Sequence, residues 1–283
     1  MPRRVAIVGI DGSGKSVLVE RLRTRFEHSP GRLAAFNCPS YHDTPDAPLA
    51  ELSARLKALS DVADELRSFE LKLAALYLRM TLYGHVERFY TTTFAPDHLV
   101  SDRHPLVDTL VYVPLYQRKV AEVLDGAALE PVLRERLAGC PGAYDAARGW
   151  HELENRRLRR ATDFWAIAVD VVRAFAQPTE TVLAEFGARY GTTLPDVVVL
   201  LDVDAAEAAR RSAGRDASGG ELHEDERALG MLRDTYEVVL GELAELRPEI
   251  EVHRIANGGR DLDATLAELM AELGLPERGQ PGD

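Results

Sequence analysis

Val5 to Ile10 is an unbroken apolar run with β-branched residues, and the octapeptide Gly9-Ile10-Asp11-Gly12-Ser13-Gly14-Lys15-Ser16 overlaps its end. Such a run reads as a strand buried on both faces, in the middle of a parallel sheet. The residues VLVERLRTRFEH then read as a helix that stops at His28-Ser29-Pro30-Gly31, where Pro and Gly are stop signals. The octapeptide matches G-x-x-x-x-G-K-[ST]. Its glycines let backbone N–H groups turn inward around phosphate oxygens, and the helix that follows adds its positive end. In this pattern Lys15 reaches the β- and γ-phosphates and the Ser16 hydroxyl ligates Mg²⁺. Gly9, Asp11, Gly12, Ser13, Gly14, Lys15, Ser16 and Val17 are the candidate nucleotide-binding residues of this segment.

Further short apolar runs predict strands at Leu33–Asn37, His98–Ser101, Val197–Asp202 and Glu251–Ile255. Helical stretches at 49–58 and 61–92 lie between the second and third. Leu229, Leu232, Tyr236, Val239, Leu243 and Leu246 recur at spacings of three and four, as do Leu262, Leu266, Leu269 and Leu273. These are amphipathic helices suited to pack on a sheet. Strands alternating with helices predict βαβ units and a parallel sheet, an α/β fold. Residues 113–180 break the alternation: their flanks look helical and PGAYDAARGW reads as a turn-rich middle. The expectation is one domain over 1–275 with a helical insertion at about 113–180, a lid at about 205–224 and a tail, 276–283, without order.

The chain of 283 residues carries 46 acidic and 34 basic side chains, a formal charge of −12. This argues against a protein whose main work is gripping nucleic acid, but leaves room for a local nucleotide site. Two cysteines, Cys38 and Cys140, make no disulfide framework and fit a reducing compartment. No segment approaches 18 apolar residues, so no membrane partner is expected and the reading is cytoplasmic.

With Asp11 between its glycines, Gly9 to Ser16 resembles the thymidylate kinase-like branch of the P-loop nucleoside and nucleotide kinases. Ser101-Asp102-Arg103-His104 resembles that family's D-R-[YH]. The stretch LPDVVVLLDVDAAEAARRSAGRD resembles its PD-apolar-LDV strand, the helix after it and an Arg-rich lid, with Asp202, Arg211 and Arg215 at the matching positions. The resemblance covers about residues 3–112 and 194–273. It implies the P-loop kinase fold, a five-stranded parallel sheet in the order 2-3-1-4-5 with helices on both faces, and it implies ATP and Mg²⁺ as cofactors. By the same resemblance Lys15, Asp11, Asp102, Arg103 and Arg215 are catalytic, and Ser16 and Asp102 hold the metal. Arg211 packs against adenine, with Arg210 beside it able to substitute, and Ala256 and Asn257 line the adenine side. Family members pair as homodimers through helices beside the sheet, which makes the 61–92 helix a candidate interface.

The acceptor side departs from the family pattern. Pro39 and Tyr41 in Phe36-Asn37-Cys38-Pro39-Ser40-Tyr41-His42 resemble an F-P-x-Y variant of the loop after strand two. Where many members have a D-R pair in the long helix, this chain has Thr81 and Leu82. Arg79 lies about one turn earlier on the same face. Tyr77 is placed either to stack on a base or to fill the core. PLVDTLVY puts Asp108 on the acceptor side, where Arg103 also belongs. A phosphate acceptor needs arginines to offset repulsion, whereas a hydroxyl needs a base to take its proton. The first expectation is γ-phosphoryl transfer to a nucleoside monophosphate, dTMP-like; the alternative is a hydroxyl of a nucleoside or other small metabolite. A nucleotide-driven switch is a third class, which the lid arginines disfavour. The run Arg156-Arg157-Leu158-Arg159-Arg160 reads as an exposed helix end in which Glu152 can pair with Arg156. His42, His85 and His223 have no metal-ligand spacing.

Overall fold

β1 (Arg3–Val8) runs into the glycine-rich octapeptide and α1 (Lys15–Arg25) leaves it. β2 (Leu33–Phe36) follows, then α2 (Ala50–Glu65), α3 (Phe69–Met80), α4 (Tyr83–Phe94) and β3 (His98–Ser101). Five helices come next: α5 (Pro105–Gln117), α6 (Gly126–Arg136), α7 (Ala143–Leu158), α8 (Ile167–Phe175) and α9 (Thr179–Tyr190). β4 (Val197–Asp202), α10 (Ala205–Ala213), α11 (Glu226–Leu246), β5 (Glu251–Ala256) and α12 (Leu262–Glu272) complete the order. This computed structural model describes residues 1–213 and 226–275. Arg215, His223, part of the expected lid and the 276–283 tail lie outside the described residues.

The described chain divides into two compact units. One holds residues 1–36, 94–104 and 195–283, the other residues 37–93 and 105–194. The first unit carries a five-stranded sheet in the order β2-β3-β1-β4-β5. Every strand pairing in it is parallel, with Val5 opposite Val100 on one side and Val197 on the other. The fold is therefore the α/β sheet that the alternating pattern predicts. Continuous apolar strands suit its centre because helices cover both faces. Ile7 and Val199 pack with Leu18 and Leu22 of α1 and with Leu269 and Met270 of α12, all buried. β5 is an edge strand. Its Glu251, Val252 and Arg254 are less covered, and charge on an edge discourages pairing with another chain.

The second unit is all-helical among its described residues and is built from α2 to α9. Two expectations are corrected there. The 61–92 stretch is not one helix. Arg67 takes a left-handed backbone at φ 51°, and Ser68 starts α3 by accepting from the Leu71 N–H at 3.2 Å. A second break follows at Thr81, whose hydroxyl donates to the Leu78 carbonyl at 2.6 Å and accepts from Trp150 Nε1 at 2.8 Å. Side-chain bonds of this kind compete with the helix ladder. PGAYDAARGW is not turn-rich either: after Gly142, left-handed at φ 78°, it forms the first half of α7. Ala143, Ala147 and Trp150 recur on one buried face there, a helical period that outweighs the local Pro and Gly signals.

The basic run at the end of α7 is not a solvated helix end throughout. Arg157 pairs with Glu154 at 2.6 Å and caps α9 through the carbonyls of Ala188 and Arg189. Arg160 joins Asp170 at 2.5 Å and Glu185 at 3.4 Å. The buried Arg189 bonds the same two carboxylates. No helix among the described residues is long and apolar enough to cross a membrane.

Candidate active site

The octapeptide closes a loop between the C-terminal end of β1 and the first turn of α1. Gly9 leaves β1 beside the Leu201 carbonyl. Gly12 takes φ 83°, and a Cβ there would sit 2.3 Å from the Ala208 carbonyl of α10, so only glycine admits this helix to the loop. Gly14, left-handed, caps the start of α1. Ser13 is fully buried and donates its backbone N–H to Ile10 O at 3.2 Å. Ser16 and Val17 face solvent.

Lys15 is 5% exposed. Its Nζ donates to the Ile10 carbonyl at 2.7 Å and to Ser13 Oγ at 3.3 Å. The ammonium therefore folds back across the loop that it would share with an anion. From there the buried ammonium lies across the loop in which a phosphate would be bound, and a charge-assisted bond to a phosphate oxygen is the stronger kind.

Asp11 and Arg103 form an ion pair, with both side chains about four-fifths covered. Asp102, which follows β3, is 4% exposed. The D-R-H sequence thus lies at the C-terminal edge of β3, the strand beside β1, at the end of a parallel sheet where ligands bind.

α10 brings Arg211 to the loop. Its Nη2 donates to the Asn257 carbonyl at 3.0 Å and to Glu207 Oε1 at 2.6 Å, and its Nη1 reaches the Gly12 carbonyl at 3.5 Å. Glu207 also accepts the Gly259 N–H at 3.0 Å. That bond, ahead of Arg211, holds its carboxyl below the usual range. Arg210 is exposed. Ala256 closes β5, its carbonyl accepting from Arg260 at 3.2 Å. Asn257 is 3% exposed and reaches the phosphate loop directly. Glu207 was not among the sequence candidates, although its i,i+4 spacing to Arg211 is readable in the chain. Asp202 is held by Arg233 at 2.7 and 3.1 Å and by Arg254 at 3.2 Å. Hydrogen bonds from Arg233 lower its pKa, burial opposes them in part, and the charges of Arg233 and then Arg254 lower it further.

The remaining acceptor-side candidates belong to the second unit. Pro39 is buried, and its carbonyl accepts from Ser53 Oγ at 3.2 Å. Tyr41 is fully buried with its hydroxyl 3.4 Å from Cys38 Sγ. Burial first, then Cys38, raises its pKa well above the ordinary value. Tyr77 packs against Tyr190 at 6.0 Å between ring centres, with the Arg189 guanidinium 5.8 Å from its ring. Arg79 is 6% exposed and its Nη2 donates to Ser40 Oγ at 3.0 Å. Asp108, in the first turn of α5, is 4% exposed. Beside it in sequence, Thr109 shares a 2.8 Å hydrogen bond with the Tyr190 hydroxyl.

Among the described residues no cluster of three or more His, Cys, Asp or Glu could hold a metal alone. Mg²⁺ on nucleotide phosphates needs only one or two protein oxygens and keeps waters. The hydroxyl of Ser16, at the start of α1, and the carboxylate of Asp102 are hard oxygen donors of that kind.

No family model matches the sequence, and no curated protein matches it. Solved structures of a deoxyadenosine kinase from M. mycoides were found by structural comparison. One, with products dCMP and a flexible dCDP bound, gives a TM-score of 0.45 at 13% identity over 96% of this chain and 98% of that one. Those with dCTP and with dATP give 0.44 at 14% and 13% identity, over 96% of this chain and 98% and 99% of theirs. A likeness at this level carries no argument about function, which rests on the site's own residues.

Proposed function

We propose that the chain is an ATP- and Mg²⁺-dependent phosphotransferase, similar to the thymidylate kinase-like kinases, acting on a nucleoside-class acceptor. The observation that carries this reading is the buried Lys15 ammonium, folded onto the Ile10 carbonyl within a loop shaped by Gly12 and Gly14. In this reading Lys15 exchanges the Ile10 carbonyl for a phosphate oxygen when nucleotide enters. Lys15, Arg103 and Arg215 then neutralise charge on the transferring group. Ser16 and Asp102 would hold Mg²⁺, which supplies charge neutralisation on the β- and γ-phosphates. Asp11 orients the acceptor through its pair with Arg103.

A hydroxyl acceptor is the better supported of the two classes. Arg103 is bound by Asp11 and Arg211 by Glu207, so the guanidiniums at the phosphate loop already carry a carboxylate. A monophosphate, with roughly 1.5 to 2 negative charges at neutral pH, would compete with those carboxylates. A hydroxyl needs a carboxylate to take its proton, and Asp102 and Asp108 are the buried candidates. The monophosphate reading, dTMP-like, is favoured by Arg79, a buried guanidinium on the acceptor side that donates to the Ser40 hydroxyl.

The test is ADP release from ATP and Mg²⁺ with free nucleosides, nucleoside monophosphates and no acceptor. Stimulation by nucleosides supports the hydroxyl reading. Stimulation by monophosphates alone replaces it with the second reading, and turnover indifferent to any acceptor rejects both.

A further inference from the structure

Asn257, just past β5, bonds to four separate parts of the first unit. Its backbone N–H donates to the Asp202 carbonyl at 2.8 Å, extending the β4–β5 pairing by one residue. Its carbonyl accepts from Arg211. Its side-chain Oδ1 accepts from the Thr265 hydroxyl at 2.8 Å, and its Nδ2 donates to the Ser13 carbonyl at 2.6 Å. The orientation of the amide is fixed by chemistry: a carbonyl oxygen only accepts, so the NH₂ end must face Ser13.

That bond sets a peptide plane. The Ser13–Gly14 peptide is planar and trans, so its C=O and N–H point in opposite directions. Holding the Ser13 oxygen against Asn257 turns the Gly14 N–H to the opposite side. In a loop of this kind the backbone N–H groups are the ligands of phosphate. Asn257 also lies against Gly14 itself, whose Cβ, were it present, would be 3.0 Å from Nδ2.

We propose that Asn257 is a positioning residue for nucleotide phosphates, holding the Ser13–Gly14 peptide so that the Gly14 N–H is presented to a phosphate oxygen. The family resemblance puts the backbone at Asn257 on the adenine side; its side-chain amide bonds the phosphate loop, and Thr265, fully buried, keeps that amide turned. This rests on the reading of the loop as a nucleotide site.

The experiment measures ADP and AMP binding to the full chain by calorimetry, with thermal denaturation of each variant alongside. Asn257→Asp keeps the size and the acceptor for Thr265 but sets an oxygen against the Ser13 carbonyl. It is expected to weaken ADP about tenfold while changing AMP less than about threefold, because AMP lacks the β-phosphate that the loop's N–H groups cradle. Asn257→Ala should act in the same direction, and Asn257→Asp carries the test if that variant does not fold. Thr265→Val, which leaves the donor in place, should weaken ADP less than Asn257→Asp does. Equal weakening of ADP and AMP, or unchanged ADP affinity in a folded Asn257→Asp, overturns the proposal while the phosphotransfer reading stands. A parent chain that binds neither nucleotide overturns both.

Discussion

The Arg103 guanidinium grips the Asp11 carboxylate, tying the segment just past β3 to the middle of the phosphate loop. Neither residue acts alone in this arrangement. Asp11→Asn should weaken the hold on Arg103, and Arg103→Gln should remove that guanidinium from Asp11. Each single substitution is expected to lower kcat/KM, and the double variant should lose less than the two losses combined. The coupling should be on the order of 1 kcal/mol or more for groups in direct contact. Steady-state kinetics on the four proteins measures it; additive losses would show that the pair is not a functional unit.

Lys15→Met retains much of the apolar stem and removes the ammonium. Turnover should fall by roughly a hundredfold to a thousandfold, the scale of removing one preorganised charge-stabilising group. The fold should persist, because the ammonium's bonds to the Ile10 carbonyl and Ser13 hydroxyl lie within the loop and not in the apolar core. Kinetics with circular dichroism on the same samples checks both halves.

Asp102 and Asp108 can be separated by how they fail. If one accepts a proton from a hydroxyl acceptor, its Asn variant should lose about a hundredfold or more in kcat with little change in acceptor KM. Asp102 would also hold Mg²⁺, so Asp102→Asn should additionally raise the Mg²⁺ needed for half-maximal rate. Asp108→Asn should leave that requirement unchanged. Losses confined to KM in both variants would count against a base and in favour of a phosphate acceptor.

The Asp202 pair with Arg233 and Arg254 predicts a pH effect on stability. Its carboxyl is held below the ordinary value, chiefly by hydrogen bonds from Arg233. A carboxylate with a lower pKa folded than unfolded contributes stability above the unfolded value, near 3.9, and loses it as pH falls through the folded value. Arg233 and Arg254 are 39% and 50% exposed, so Asp202→Asn should cost only about 1 kcal/mol or less at neutral pH. Urea titrations should show this gap at about pH 7 and its closure as pH falls below the unfolded value and through the lower folded one.

The strands were legible because a buried parallel strand is a continuous apolar run, as at Val5 to Val8 and Val197 to Leu201; their order came from the family resemblance and not from the runs themselves. The phosphate loop was legible because its chemistry demands particular residues at fixed spacing. The helix breaks at Arg67 and Thr81 were not. They depend on a left-handed residue and on a hydroxyl bonded to Trp150, 69 positions away. The full length of α7 was hidden by Pro141, Gly142 and Gly149, which read locally as turns but are overruled by a buried helical face. Asn257 was found by its place after β5. Its bond to Ser13 joins residues 244 apart and leaves no periodic trace.

The central claim is that the γ-phosphoryl group goes to an organic acceptor. Phosphorus NMR of ATP, Mg²⁺ and a nucleoside mixture follows it directly, with parent chain and Lys15→Met side by side. The account predicts a new phosphomonoester resonance growing in step with ADP in the parent and absent in the variant. Inorganic phosphate as the sole product, formed at the same rate with or without nucleosides, would contradict it.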